Sequence, residues 1–204
     1  MSISLDELLE RAADLERQID TELHQTRTRW HYRIYKGRVF FARKVRAAHR
    51  RLRQSIPRYL INSQPRHLLA APIIYSIVAP IALLDIWITL YQWICFPIFG
   101  ISKVDRAGYI VIDRHRLTYL NGIEKLNCVY CGYANGVFAY VREVAGRTEQ
   151  FWCPIRHAKR TRAPHPHYRD FVDYGDASGY QDRLPGLRQA LRRDRDTGET
   201  PVSY

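Results

Sequence analysis

Between Arg27 and His67 the sequence has no aspartate or glutamate, against thirteen lysines and arginines. The rest of the 204-residue chain holds nineteen basic and twenty acidic side chains, so the formal net charge of +12 belongs to that one stretch. An uncompensated basic block seeks phosphate, on nucleic acid or on anionic lipid headgroups. The stretch that follows, Leu68–Ile101, lacks charge almost completely: Asp85 is its sole charged residue. A bilayer crossing needs about 20 apolar residues. The run exceeds one crossing and falls short of two comfortable ones. It starts too far along the chain to be a cleaved signal peptide, and the N-terminus shows no signal or transit pattern. A buried pair of core helices is the competing reading, but soluble core helices seldom stay apolar on all sides for this length. Cysteine is scarce as well. Four cysteines, one of them Cys95 inside the apolar run, are poor material for a disulfide framework, and free thiols favour a reducing compartment.

What is present follows a clear order. "SLDELLERAADLERQIDTEL" opens with Ser4 and Glu7 at capping-box spacing. Leu5, Leu8, Ala12, Leu15 and Ile19 then recur at three- and four-residue steps. That seam suits a partner helix, in this chain or in a second copy. From Trp30 to Arg53 the chain is aromatic and cationic. Phe41, Val45, Ala48 and Leu52 fall on one helical face, and Arg38, Arg43, Arg46, Arg50 and Arg53 spread over the rest. Such a helix lies on an anionic membrane surface with its arginines reaching for phosphate. Arginines interleaved with Trp30, Tyr32, Tyr35 and Phe40 also suit a nucleic-acid backbone. The apolar run that begins where the basic block ends favours the membrane, with nucleic acid the weaker partner.

Pro72, Pro80 and Pro97 punctuate the run. Pro80, near its middle, predicts a break between two helices, which fits either a single long, kinked crossing or a re-entrant or two-helix hairpin. The mildly basic flank and the thiols beyond it favour the hairpin, with both ends on the cytoplasmic side. Asp85 is a candidate intramembrane polar site, or else a hydrated residue at a turn or interface. Beyond the run, "YIVID" and "LTYL" read as strands, and Asn121-Gly122 as a tight hairpin turn. Residues 137–150 place Val137, Val141, Val144 and Thr148 on one helical face, with a strand pair as the alternative.

Cys128 and Cys131 form C-x2-C; twenty-one residues later Cys153 and His157 form C-x3-H. With Pro154 starting a helix, Cys153 and His157 share a face, and three thiolates with one imidazole make a closed tetrahedral set. Zinc fits this set better than iron or an iron–sulfur cluster. A closed set leaves no position for water, so a structural metal is expected. Asp113 and His115 resemble, in the wrong order, the histidine of HNH-type nucleases. His165 and His167 sit between prolines and read as a solvated linker.

The motifs "EKLNCVYCGYANG" and "RTEQFWCPIRHA", behind "YQWICFPIFGI", resemble an uncharacterised family of bacterial membrane-associated proteins over residues Arg66 to Tyr180. The resemblance implies a bacterial setting and no particular reaction. The expected chain is mainly α with a small β-hairpin. It runs as an amphipathic N-terminal helix (1–29), a basic juxtamembrane helical region (30–67), a membrane hairpin (68–101), a zinc-ribbon or treble-clef-like α+β metal-binding domain (102–184) and a polar tail (185–204). No complete catalytic constellation is evident. The expected function is a zinc-stabilised docking module at the cytoplasmic face of the bacterial inner membrane, touching anionic lipids and a protein partner or a second copy. A membrane-bound metalloenzyme or redox protein, and a membrane-tethered nucleic-acid binder, are the alternatives.

Overall fold

The computed structural model describes residues 5–29, 32–35 and 38–197. It is mainly helical and divides into two units, one comprising residues 1–62 and 113–125, the other 63–112 and 126–204.

The first unit begins with α1, Leu5–Arg29. Of the expected seam, Leu15 and Ile19 are exposed; Ser4 of the capping box lies outside the described residues. A short antiparallel hairpin follows, β1 (Tyr32–Tyr35) with β2 (Arg38–Phe41), in register Tyr32↔Phe41 and Tyr35↔Arg38. The basic region is therefore not helical throughout. Tyr, Ile, Val and Phe at strand positions favour the pleated conformation, and two such runs separated by two residues ending in Gly37 are a hairpin signal. Trp30 lies outside the described residues. The helix expected here is confined to α2, Arg43–Arg51. Arg43, Arg46 and Arg50 are exposed on it, Arg53 is exposed just beyond it, and Arg38 belongs to β2. His49 holds the other face of α2 in place, its ring edge-on to Phe41 at 5.5 Å and to Tyr119 at 5.3 Å. A short helix α3 spans Ile56–Asn62.

The second unit is built on α4 (Pro65–Ser76) and α5 (Val78–Phe99), which continue one another as a single 35-residue apolar helix. The expected hairpin is absent. The ring of Pro80 clashes with the carbonyl four residues earlier, that of Ser76, and this is where α4 ends. Ile77 nevertheless keeps right-handed helical angles (φ −64°, ψ −19°), so the chain continues in the same direction. Pro80 itself falls in the first turn of α5, where its missing N–H is not needed. Gly100, at φ 68°, closes α5 with the paired bonds Gly100 N–H to Pro97 O and Ile101 N–H to Phe96 O.

Residues 101–112 then return along α5 as a strap containing the one-turn helix α6, Arg106–Tyr109. Neither expected strand forms: in "YIVID" Tyr109 ends α6 and residues 110–113 are irregular, and "LTYL" is turn and irregular backbone. Asn121-Gly122 is not a hairpin turn either. The Asn121 side chain accepts from Glu124 N–H at 3.0 Å, and Glu124 accepts from Asn121 N–H at 2.8 Å. This reciprocal capping box starts α7, Gly122–Trp152. In place of a zinc-ribbon-like α+β domain, one 31-residue helix carries Cys128 and Cys131 and includes residues 137–150. Pro154 stops it, because the residue before a proline is pushed out of helical angles. Ile155 and Val172 then form a parallel bridge.

The C-terminal stretch is not a polar tail up to residue 197. Asp176 caps α8, Ala177–Thr197, by accepting from Gly179 N–H at 2.9 Å. Leu191 of α8 is buried with Phe96, Ile101, Val104, Tyr140 and Val144.

Candidate membrane interface

α5 has two chemically opposite sides. On the outer side Leu69 and Ile73 of α4 and Ile77 at the junction continue into Pro80, Leu83, Trp87, Leu90, Ile94 and Ile98 of α5, all exposed. Steps of three and four residues over eight turns make one straight apolar strip, about 44 Å long at 1.5 Å per residue. Trp87 is 68% exposed and Ile98 72%. The helix is long and apolar enough to cross a membrane, and only 11% of its most apolar window is buried. A core helix of a soluble protein would be mostly buried, so the expectation of buried core helices does not describe it.

The inner side carries every strongly polar residue of α5. Asp85, 6% exposed, receives both guanidinium bonds of Arg106, at 2.9 and 2.5 Å, and the Tyr133 hydroxyl at 2.9 Å. The candidate polar site is thus a closed ion pair. An isolated buried carboxylate would be far costlier than one with three donors. Burial, and after it the hydrogen bond to Asp85, pushes the Tyr133 hydroxyl above its ordinary pKa. Two turns on, the Gln92 amide accepts from Val104 N–H at 2.9 Å and donates to Val104 O at 3.2 Å and to the Tyr140 hydroxyl at 2.7 Å. Gln92 therefore satisfies the irregular backbone of the strap.

α7 lies along the same inner side, parallel to α4–α5. Tyr75 hydrogen-bonds Asn127, Tyr130 donates to Ile74 O, Tyr91 meets Thr148 at 3.1 Å, and Phe99 packs on Phe151 and Trp152. Gly136 permits this layer to close: a Cβ there would sit 2.8 Å from the Ile110 Cα and the Tyr109 carbonyl.

Behind α7 is a second polar layer. Arg147 and Glu143 are both buried and joined at 2.8 Å; Arg147 also donates to Ser102 O at 2.9 Å. His167 reaches Glu143 at 3.0 Å, and His165 reaches Glu149 at 2.9 Å. Burial pushes the Glu143 carboxyl up, but hydrogen bonds from His167 and Arg147 outweigh it and hold the pKa at about 2. The histidine pair expected in a solvated linker is instead partly buried against Gly146, where a Cβ would come within 2.9 Å of His165 Nδ1.

The four expected metal ligands do not converge. Cys128 and Cys131 lie within α7, and Cys153 follows its last turn; 25 helical residues separate Cys128 from Cys153 by about 37 Å. Pro154 ends a helix here and does not begin one, so Cys153 and His157 share no helical face. The His157 ring stacks on Tyr168 instead. Among the described residues no group of three or more His, Cys, Asp or Glu is arranged to hold a metal ion. The zinc-ribbon expectation is corrected accordingly. Asp113 and His115 flank and occupy a short 3-10 turn, Arg114–Arg116.

No family model, curated protein or solved structure matches the chain. The site therefore stands on its own geometry.

Arg106, Tyr133, Gln92, Glu143 and Arg147 escaped the sequence reading as site residues, and the two histidines were read as solvent-exposed. Glu143 and Arg147 carried a signal, since opposite charges four apart share a helix face. Gln92 stood as an uncharged polar residue in an apolar run. The Asp85–Arg106 pairing, across 21 residues and a reversal of direction, had no local signature.

Proposed function

We propose that this protein is a non-enzymatic docking module that lies in the plane of a membrane, its α4–α5 strip immersed and its remaining layers above the surface. One observation carries the reading: the outer side of the helix is apolar and exposed, while a charged, irregular strap runs along the other side at the same level. Lys103 and Asp105 are exposed and Arg106 partly so, beside Trp93, Gln92 and Asp85. In a perpendicular crossing the Arg106 charge, level with Asp85 near the middle of the helix, and the non-helical backbone around it would stand near the bilayer midplane. Each charge there costs about 2.5–3.5 kcal/mol on insertion scales, and irregular backbone exposed to lipid is not tolerated. An in-plane helix meets neither penalty. It buries its apolar face about 5–10 Å into the headgroup and acyl boundary.

Side-chain chemistry at the strip's edge supports this placement. The Lys103 ammonium sits 5.9 Å from the Trp93 ring centre, a pairing suited to the headgroup level. The exposed arginines of α2 offer a second attraction to anionic lipid. The resemblance to bacterial membrane-associated proteins, and the exposed thiols of Cys131 and Cys153, favour the cytoplasmic face of a bacterial membrane.

Depth-dependent tryptophan quenching tests the proposal. With Trp30, Trp93 and Trp152 changed to Phe, Trp87 is the sole tryptophan. In-plane docking places it where bromine high on the acyl chains quenches best. Best quenching by bromine at the chain ends would mean a crossing helix, and no quenching from either would mean no membrane docking at all.

A further inference from the structure

The loop between α7 and α8 gathers positive charge that nothing above uses. From Cys153 to Tyr168 there is no aspartate or glutamate, against Arg156, Lys159, Arg160 and Arg162. The four cations line one cleft of about 840 Å³ together with His157, Thr161 and Tyr168, and no carboxylate lines it. That volume falls in the range of small-molecule sites.

The loop is held in shape by bonds that leave most of these cations unoccupied. Arg142 of α7 donates to the carbonyls of Ala163, at 3.0 Å, and Pro164. Ala163 takes a positive φ of 50°, a left-handed conformation that costs a residue with a Cβ about 1 kcal/mol. The His157 N–H donates to the Tyr168 hydroxyl at 2.7 Å. Arg156 is fixed by Asp173 at 2.8 Å and by the Arg169 carbonyl. Lys159 and Arg160 are exposed, as is Arg162, and among the described residues none of the three has a hydrogen bond or ion pair. Like charges so close repel one another. A loop fixed in this shape, with its free cations turned into a concave surface, is arranged for an anion that would relieve the repulsion.

We propose that the cleft formed by residues 156–164 binds a multiply charged phosphate group, with Arg160, Arg162 and Lys159 as its contacts and Arg156 setting the wall. Guanidinium forks match phosphate oxygens two at a time, and the lysine adds a point charge. The phosphate can belong to a lipid headgroup or to a soluble phosphate ester. The proposal does not depend on how α5 meets the membrane.

The full chain in detergent micelles is titrated with inorganic pyrophosphate, and separately offered phosphatidylcholine vesicles with and without phosphatidic acid. Arg160→Gln/Arg162→Gln removes two free cations from an exposed loop. Arg114→Gln/Arg116→Gln removes two exposed cations from the short turn before α7 as a charge-matched control. Each cation near an anionic surface is worth about fivefold in binding, so the loop variant is expected to lose on the order of 20-fold while the control keeps pyrophosphate affinity. Loss for pyrophosphate identifies a soluble phosphate ligand. Loss for phosphatidic acid vesicles alone identifies a headgroup. If neither probe distinguishes the loop variant from the native chain, or the Arg114/Arg116 control loses as much as the loop variant, the cleft is not a phosphate site.

Discussion

The two sides of α5 are made from one helix and solve opposite problems. Its outer side exposes Leu83, Trp87, Leu90 and Ile98 and has no polar group to satisfy. Its inner side holds Asp85, Thr89 and Gln92, each hydrogen-bonded within the protein. A side that faces apolar surroundings needs only composition. A side that buries polar atoms needs partners at fixed positions, because an unsatisfied buried donor or acceptor costs about 1–3 kcal/mol. Substitutions on the outer side should therefore change where the protein resides, and substitutions on the inner side whether it folds.

The sharpest way to separate the two sides is to make the outer one polar. Leu83→Ser, Trp87→Ser and Leu90→Ser together should weaken partitioning into vesicles by about 5 kcal/mol, at about 1.5–3 kcal/mol per large apolar side chain, and leave the thermal midpoint in detergent within a few degrees of the native one. Vesicle flotation reads the first quantity and circular dichroism the second. A collapse of helicity would mean that the outer strip is a core face after all.

The inner layers should respond in the opposite sense. Arg147→Ala leaves Glu143 buried with His167 alone, and breaking a buried pair costs about 3–5 kcal/mol. Denaturant unfolding in detergent should show that loss with membrane partitioning of the surviving folded protein unchanged.

Acid should reach the same network. The folded Glu143 carboxyl titrates at about 2, against an ordinary value of 4.5. Its ionised form is the one stabilised by folding, so its contribution is complete above pH 4.5 and is lost as pH falls from there towards 2. The loss is about 3 kcal/mol, at 1.36 kcal/mol per pKa unit. Glu143→Gln should remove most of this dependence. An unchanged acid profile in that variant would assign the dependence to other carboxylates.

Gln92→Leu is the mildest of the four. It removes the partner of Val104 N–H and one of two contacts of the Tyr140 hydroxyl, for about 1–3 kcal/mol. Hydrogen exchange at Val104 should speed up while the outer strip stays as it is. No change would show that water replaces the amide in the strap.

Much of this comparison was legible along the chain. The apolar run, its single acid and the alignment of Val137, Val141 and Val144 are local patterns, and local patterns survive folding. The capping box of α7 was also present, as Asn121 followed by Glu124, but Asn-Gly is equally a hairpin signal. The two readings differ only in what the next residues pack against. The cysteine spacing misled for a related reason. C-x2-C closes around an ion only if its backbone turns there, and in α7 it does not. Pro154 likewise starts helices and stops them; its role was decided by the 31 helical residues before it.

The sequence by itself determined that residues 68–101 would be apolar, that the excess positive charge would gather in one block before them, and that residues 137–150 carry a helical periodicity, with a strand pair left open. Composition and periodicity suffice for these, because they depend on neighbours within a few residues. Tertiary structure alone decided that α4 and α5 continue in one direction, that Asp85 is closed by Arg106 and Tyr133, and that Glu143 and Arg147 are buried with His167. Those pairings join residues up to 48 positions apart. They depend on which polar group the strap and α7 bring within hydrogen-bonding distance, and the cost of leaving such a group unpaired is paid only once it is buried.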